Sequence, residues 1–312
     1  MIKSNNKTAF SFEILPPLKG NGIDRVNKTI EALREFNPKY INITTHHSEF
    51  VQRTLDTGEV VRQNVRKRPG TVAVAAAIQH KYGITAVPHI ICSGFTKAET
   101  EYALIDLQYL GIRNLLVLQG DKGKIEPGYI NPDDCHKYAL ELQGQINRFN
   151  EGYFLDGSRF EQPETPFLYG VAAYPEKHAD APSIDSDIYF LKEKIKAGAN
   201  YAVTQMFFDN KKYFDFVARC RAEGITVPII PGIKPIVFCN QLTVIPQIFG
   251  AEIPETFARE LAKCKTDKEA KEIGIEWCVG QCRELMANDV PSLHFYTLMA
   301  TDSVKRVAEK IY

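Results

Sequence analysis

The sequence predicts an α/β fold, a single (β/α)8 barrel domain over residues 1–312, and three observations carry that expectation. Apolar, strand-like runs alternate with longer helical patterns along the whole length, as in βα units repeated around a parallel sheet. The runs number eight. Helical patterns stop at glycines that lead into the next run: residues 183–197 at Gly198 and 211–221 at Gly224.

The first strand is expected over 9–15, where Phe10, Phe12 and Ile14 alternate with Ser11 and Glu13. Pro16 and Pro17 cannot donate ladder hydrogen bonds, so the strand ends near Leu15. A helix over 24–36 precedes a strand over 40–44, and a strand over 85–92 carries Pro88 and His89. Thr96 and Glu99 form a capping box for a helix over 96–110, which Gly111 stops. The strand over 114–119 runs into Gly120 and Asp121. Residues 150–166 are polar and turn-rich and enter a strand over 168–174 from the preceding helix, a position on the N-terminal face that suits stability or oligomer contacts. Strands over 201–206, 227–231 and 292–296 complete the set. Several helical segments between 242 and 287 make the crossover before the last strand long and elaborated.

Hydrophobic residues make up 44% and charged residues 24%, the composition of a soluble globular protein. Thirty-eight basic residues balance 38 acidic ones and the basic run over 62–68 is short, so nothing favours nucleic acid and a small-molecule partner is expected. The first seven residues lack the apolar stretch of a signal peptide and no run approaches a membrane span, which implies a cytoplasmic protein without a membrane partner. The seven cysteines read as free thiols. Cys278 and Cys282 stand four apart, but no second pair or nearby histidine completes a metal site.

Barrel active sites lie at the C-terminal ends of strands. Glu13, Thr44, His89, Gln119-Gly120-Asp121, Tyr174 with His178, and Gln205 fall there, from six strands. Singly, each has an ordinary alternative. Glu13 reads equally as a proton donor desolvated by apolar neighbours or as a solvated strand-end acid, His89 as a core histidine, Asp121 as a turn residue, and Tyr174-Pro175-Glu176 with His178 as a plain loop. Their concentration at one end argues for function. His46, His47, His89, Asp121 and His178 contain enough donors for a metal hydrolase, yet a His-x-His on the first strand is missing. Pro231-Gly232-Ile233-Lys234-Pro235 is a poor phosphate-binding loop, and no G-x-G-x-x-G supports a Rossmann nicotinamide domain.

Seven segments in order are Ser11-Phe12-Glu13-Ile14-Leu15-Pro16-Pro17, Pro88-His89, Gly120-Asp121, Ala172-Ala173-Tyr174-Pro175-Glu176-Lys177-His178, Thr204-Gln205-Met206-Phe207-Phe208-Asp209, Pro231-Gly232-Ile233 and His294-Phe295-Tyr296-Thr297-Leu298. Together they resemble the methylenetetrahydrofolate reductase family. The resemblance implies an FAD-containing barrel that reduces 5,10-methylenetetrahydrofolate to 5-methyltetrahydrofolate with NADH or NADPH, in ping-pong order, in one-carbon metabolism and methionine supply. It also explains the missing Rossmann motif, since the flavin carries the redox chemistry. Glu13 matches the family's general acid and Asp121 the aspartate that contacts the pterin near the flavin. Gln205 and Gln241 match folate contacts, and Thr44, His89, Gly120, Tyr174, His178, Asp187 and Lys194 match positions that hold FAD.

Departures from the family pattern are Gln119 for an arginine in the flavin site, Phe190 and Glu193 for polar or basic FAD contacts, Ile245 for a phenylalanine against the ligands and Ala300 for an arginine at the folate tail. The resemblance further implies a homo-oligomer, and no control by S-adenosylmethionine, since the chain ends after the barrel. A flavin-free pterin-binding methyltransferase barrel and a non-catalytic scaffold barrel are the alternatives; a flavin spectrum separates the first from the reductase, and the presence of Glu13 and Asp121 speaks against the second.

Overall fold

A computed structural model describes residues 8–120, 131–161, 165–298 and 300–312. In chain order the elements are β1 (Ala9–Ile14), α1 (Asp24–Leu33), β2 (Tyr40–Ile43), β3 (Glu49–Thr54), β4 (Val60–Val65), α2 (Thr71–Tyr82), β5 (Thr85–Ile91), α3 (Lys97–Tyr109), β6 (Asn114–Leu118), α4 (Ala139–Asn150) and β7 (Leu168–Ala173). They continue with α5 (Ile184–Lys196), β8 (Tyr201–Met206), α6 (Asn210–Ala222), β9 (Ile229–Ile233), α7 (Gln241–Phe249), α8 (Glu255–Lys263), α9 (Asp267–Ala287), β10 (Ser292–Tyr296) and α10 (Thr301–Ile311). Eight strands close into a barrel in the order β1-β10-β9-β8-β7-β6-β5-β2, as the βα alternation requires. The long crossover before the last strand consists of α7, α8 and α9. No helix among the described residues is long and apolar enough to cross a membrane.

Three strands differ from expectation. β9 ends at Ile233, two residues beyond the expected 231, because Gly232 remains in the ladder opposite His294. The antiparallel hairpin β3-β4 lies outside the barrel and has no counterpart among the expected strands. Its strands mix charged and apolar residues, and its turn is closed by Leu55 N–H donating to Glu59 O at 2.8 Å and by Gly58 N–H to Leu55 O at 2.9 Å.

The chain forms two compact units, Met1–Ile14, Asn27–Ile41 and Gly170–Tyr312 in the first, Leu15–Val26 and Asn42–Tyr169 in the second. In the first, alternation along β1 sends Phe10 into an aromatic cluster with Phe12, Phe36, Phe295 and Tyr312, at centroid separations of 5.4–5.8 Å. Ser11 bonds to His294 Nδ1 at 3.0 Å, and the Tyr40 ring stacks on that imidazole. A separate core in the crossover joins Met206, Phe208, Ile236, Ile245, Phe257 and Leu261, with Trp277 stacked on Phe257 at 4.4 Å and donating to Phe208 O. The second unit pairs β5 with β6 over a core that includes Ile78, Leu104, Leu107, Leu115, Ile146 and Phe149.

Candidate active site

In the first unit the site begins with strand register. Ser11 pairs with His294 and Glu13 with Tyr296 across β1 and β10, while Gly232 pairs with His294 and Ile233 with Phe295 across β9 and β10. Side chains repeat every second residue on a strand face. Ser11 and His294 therefore form one layer and Glu13 and Tyr296 the next, at the C-terminal end of their strands, and Lys234 directly follows the last residue of β9. Gly232 makes this layer possible. A Cβ there would lie 2.2 Å from Thr204 O and 2.6 Å from the Tyr296 ring. Bare backbone lets the Tyr296 ring reach across, and its hydroxyl donates to Thr204 O at 2.6 Å. The register slips between β8 and β9 at this point, and Gly232 N–H donates to Thr204 Oγ1 at 2.9 Å. Thr297 Oγ1 donates to the Glu13 carbonyl and holds the end of β1.

Glu13 and Lys234 are each 7% exposed, a buried carboxyl and a buried amine in one unit. Burial pushes the Lys234 ammonium below its ordinary range, and the charge of Glu13 opposes that shift. The Tyr296 phenol is held well above its usual value, by burial first and then by Glu13. Burial raises Tyr40 to about 12 and lowers His294 to about 3, so the phenol stays protonated and the imidazole neutral at ordinary pH. The surroundings of Glu13 are thus of low dielectric.

A second group lies after β7 and on α5. The Tyr174 and His178 rings meet edge to face at 4.6 Å, and His178 N–H donates to Asp187 Oδ2 at 2.8 Å. Asp187 and Lys194 stand two turns apart on α5, and Lys194 acts on the Asp187 charge. Burial raises the Asp187 carboxyl against the opposing pull of His178, Lys194 and Lys177. Four of the expected flavin contacts are therefore brought together. Of the expected folate contacts, Gln205 Oε1 accepts from Met206 N–H at 2.9 Å, and Gln241 Oε1 braces the loop after β9 by accepting from Val237 and Phe238 N–H at 2.7 and 3.1 Å. Ile245 is packed in the crossover core and Ala300 is buried, whereas Phe190 is exposed and Glu193 pairs with Lys196.

In the second unit, Thr44 Oγ1 bonds His46 Nε2 at 3.2 Å, and Thr45 Oγ1 donates to the carbonyl of the buried His89. Ser93 donates both its N–H and its hydroxyl to Gln119 O, each at 3.0 Å. Gly120 has φ +83°, and a Cβ there would press on the Ile91 and Ser93 side chains at 3.2 Å, so the chain needs glycine at this turn. A cavity of about 630 Å³ in this unit is lined by Thr45, His46, Arg66, His89, Ile91 and Phe95 among others. Asp121 lies outside the described residues. Among the described residues no three His, Cys, Asp or Glu side chains gather to hold a metal ion, and the seven cysteines are free thiols.

Sequence reasoning misses Lys234, because the segment after β9 is weighed only as a phosphate loop. Its signal is a lysine directly after the apolar strand end, a residue type that is seldom buried.

The whole chain, residues 1–312, matches the family model described as methylenetetrahydrofolate reductase. It is 32% identical over 305 residues to a probable methylenetetrahydrofolate reductase (NADPH) of Caenorhabditis elegans, covering 97% of this chain and 42% of that one. It is 30% identical over 289 residues to 5,10-methylenetetrahydrofolate reductase of Salmonella typhimurium, covering 92% of this chain and 85% of that one. The chain thus spans less than half of the nematode relative and most of the bacterial one. Among solved structures, an uncharacterized protein from Clostridium thermocellum that binds two copies of 5-methyl-5,6,7,8-tetrahydrofolic acid superposes with a TM-score of 0.57 at 15% identity, covering 98% of this chain and 96% of that one, a likeness of fold.

Proposed function

The chain belongs to the methylenetetrahydrofolate reductase family, and from that premise we propose that it reduces 5,10-methylenetetrahydrofolate to 5-methyltetrahydrofolate, with NADH or NADPH as electron donor and FAD as the redox group. The observation that supports this most directly is the buried Glu13, set at the C-terminal end of β1 level with Tyr296. A carboxyl so placed has one obvious use, to hold a proton and release it to a basic atom of a small molecule.

The residues present suit a flavin dinucleotide. In the first unit Lys194 offers a point charge for a pyrophosphate, Asp187 an acceptor for a hydroxyl and Tyr174 an aromatic face. In the second, Thr44, His89 and Gln119 supply a hydroxyl, an imidazole and an amide, and Gly120 a turn that only glycine takes without strain. When bound, FAD supplies the two-electron chemistry and accounts for alternate use of nucleotide and folate. The protein's own part is proton management and orientation. Glu13 donates its carboxyl proton to N10 of the folate, which weakens the N10–methylene bond and leaves the bridging carbon electron-poor. Gln205 and Gln241 orient the folate, and Asp121 is assigned the negative charge that favours the cation formed as the bridge opens. One catalytic domain, a cytoplasmic setting and a homo-oligomer complete the proposal.

The test is Glu13→Gln studied by half-reactions. Oxidation of the reduced enzyme by 5,10-methylenetetrahydrofolate should slow by about 10²- to 10⁴-fold, far more than its reduction by nicotinamide. Equal losses in the two would assign Glu13 to structure and remove it from the chemistry.

A further inference from the structure

Lys234 has no part in the chemistry just described, yet its amine is buried. Burying an ammonium is costly unless an opposite charge shares its surroundings. Strand order provides that charge. β1, β10 and β9 are consecutive in the barrel, Glu13 pairs with Tyr296, and Lys234 follows Ile233 as Tyr296 follows Phe295, the partner of Ile233. Glu13 and Lys234 thus stand at the C-terminal ends of the two strands that flank β10, both are buried, and the Glu13 charge acts on the Lys234 amine.

We propose that Lys234 is a positioning residue that sets the ionisation of Glu13 and, with it, the pH range over which that carboxyl has a proton to give. The catalytic meaning rests on the proton-donor role proposed for Glu13; the coupling between the two side chains does not. When the Glu13 O–H bond breaks and an N–H bond forms on the folate, a carboxylate is left in a poorly solvated layer. The Lys234 ammonium meets that charge, which favours the transfer and the ionised acid alike. The other titratable groups of the unit that face the pair are Tyr296 on β10, Tyr174 after β7, Tyr40 on β2 and His294 one layer below. The Tyr296 and Tyr40 phenols stay protonated and the His294 imidazole stays neutral, so none of these three supplies a cation.

The experiment titrates Glu13 directly. The holoenzyme is labelled with carboxyl-¹³C glutamate, the Glu13 resonance is assigned by its absence in Glu13→Gln, and its midpoint is followed in the native protein, Lys234→Met and Lys234→Arg. Loss of the cation should raise the midpoint by about 1–3 pH units, and Lys234→Arg should restore it. The rate of the folate half-reaction should fall at a correspondingly higher pH in Lys234→Met. An unchanged midpoint in Lys234→Met overturns the proposal. The reciprocal measurement leaves Lys234 intact and so does not depend on that variant folding: in Glu13→Gln the lysine, followed at ¹³Cε, must titrate at lower pH than in the native protein, and equal midpoints overturn the coupling. Shifted midpoints in a protein that folate cannot oxidise would uphold the coupling and overturn the folate reading alone.

Discussion

Glu13 shows how strand position takes an ordinary acid out of water. Alternation along β1 turns it to the face it shares with Ser11, the pairing with β10 sets it level with Tyr296, and Gly232 leaves the space that ring requires. Changing Gly232 to Ala tests this arrangement without replacing a titratable residue. The added Cβ would strike the Thr204 carbonyl and the Tyr296 ring, so the variant should lose about 1–3 kcal/mol of stability in denaturant unfolding, along with folate turnover. A variant as stable as the native protein would show that the ring does not need the space. At this scale the sequence is legible where a residue interrupts a pattern: an acid between apolar neighbours and two prolines marks Glu13. Lys234 is less legible: its one local signal is its place directly after an apolar strand end, and that alone does not fix its burial. That burial follows from the register of β9 against β10, a relation between distant segments.

The elements follow the same division. Thr96 with Glu99 announces the start of α3, and the capping box is present, with Glu99 N–H donating to Thr96 Oγ1 at 3.1 Å and Glu99 Oε2 accepting from Thr96 N–H at 2.8 Å. The hairpin β3-β4 escapes the sequence because its strands carry charged residues and are largely exposed, without the apolar alternation of a half-buried strand. β9 runs two residues past its expected end because Pro231-Gly232 reads as a break, whereas Thr204 Oγ1 takes the Gly232 N–H and keeps the strand going. The crossover is recognisable as helical but its packing is not. Gly274 on α9 lies so close to the chain that a Cβ would fall 1.9 Å from the Ile236 carbonyl oxygen. Gly274→Ala should therefore push α9 off the segment after β9, at a cost of about 1–3 kcal/mol, lowering the midpoint of urea unfolding. An unchanged midpoint would mean that α9 moves without penalty.

At the scale of the whole molecule, the alternation of strands and helices is enough to predict a closed barrel, because each βα unit hides one apolar face and eight of them satisfy one another. The polar interior cannot be read that way. His294 is fully buried and its folded pKa lies at about 3, while the unfolded chain takes up a proton near the ordinary value of 6.5. Between those values acid favours the unfolded state, so His294 should cost stability by up to about 1.4 kcal/mol for each unit of falling pH, with no penalty above the unfolded value. His294→Gln should flatten the loss in urea unfolding between about pH 7 and about pH 5; an identical slope would place the acid sensitivity elsewhere. The central claim, that this barrel passes electrons from nicotinamide to a folate through a flavin, is tested most directly by the visible spectrum of the purified protein during anaerobic addition of NADH or NADPH, followed by 5,10-methylenetetrahydrofolate. A flavin spectrum that one nucleotide bleaches and the folate restores is the predicted result; a protein that binds no flavin after reconstitution, or a bleached flavin that the folate leaves unchanged, would contradict it.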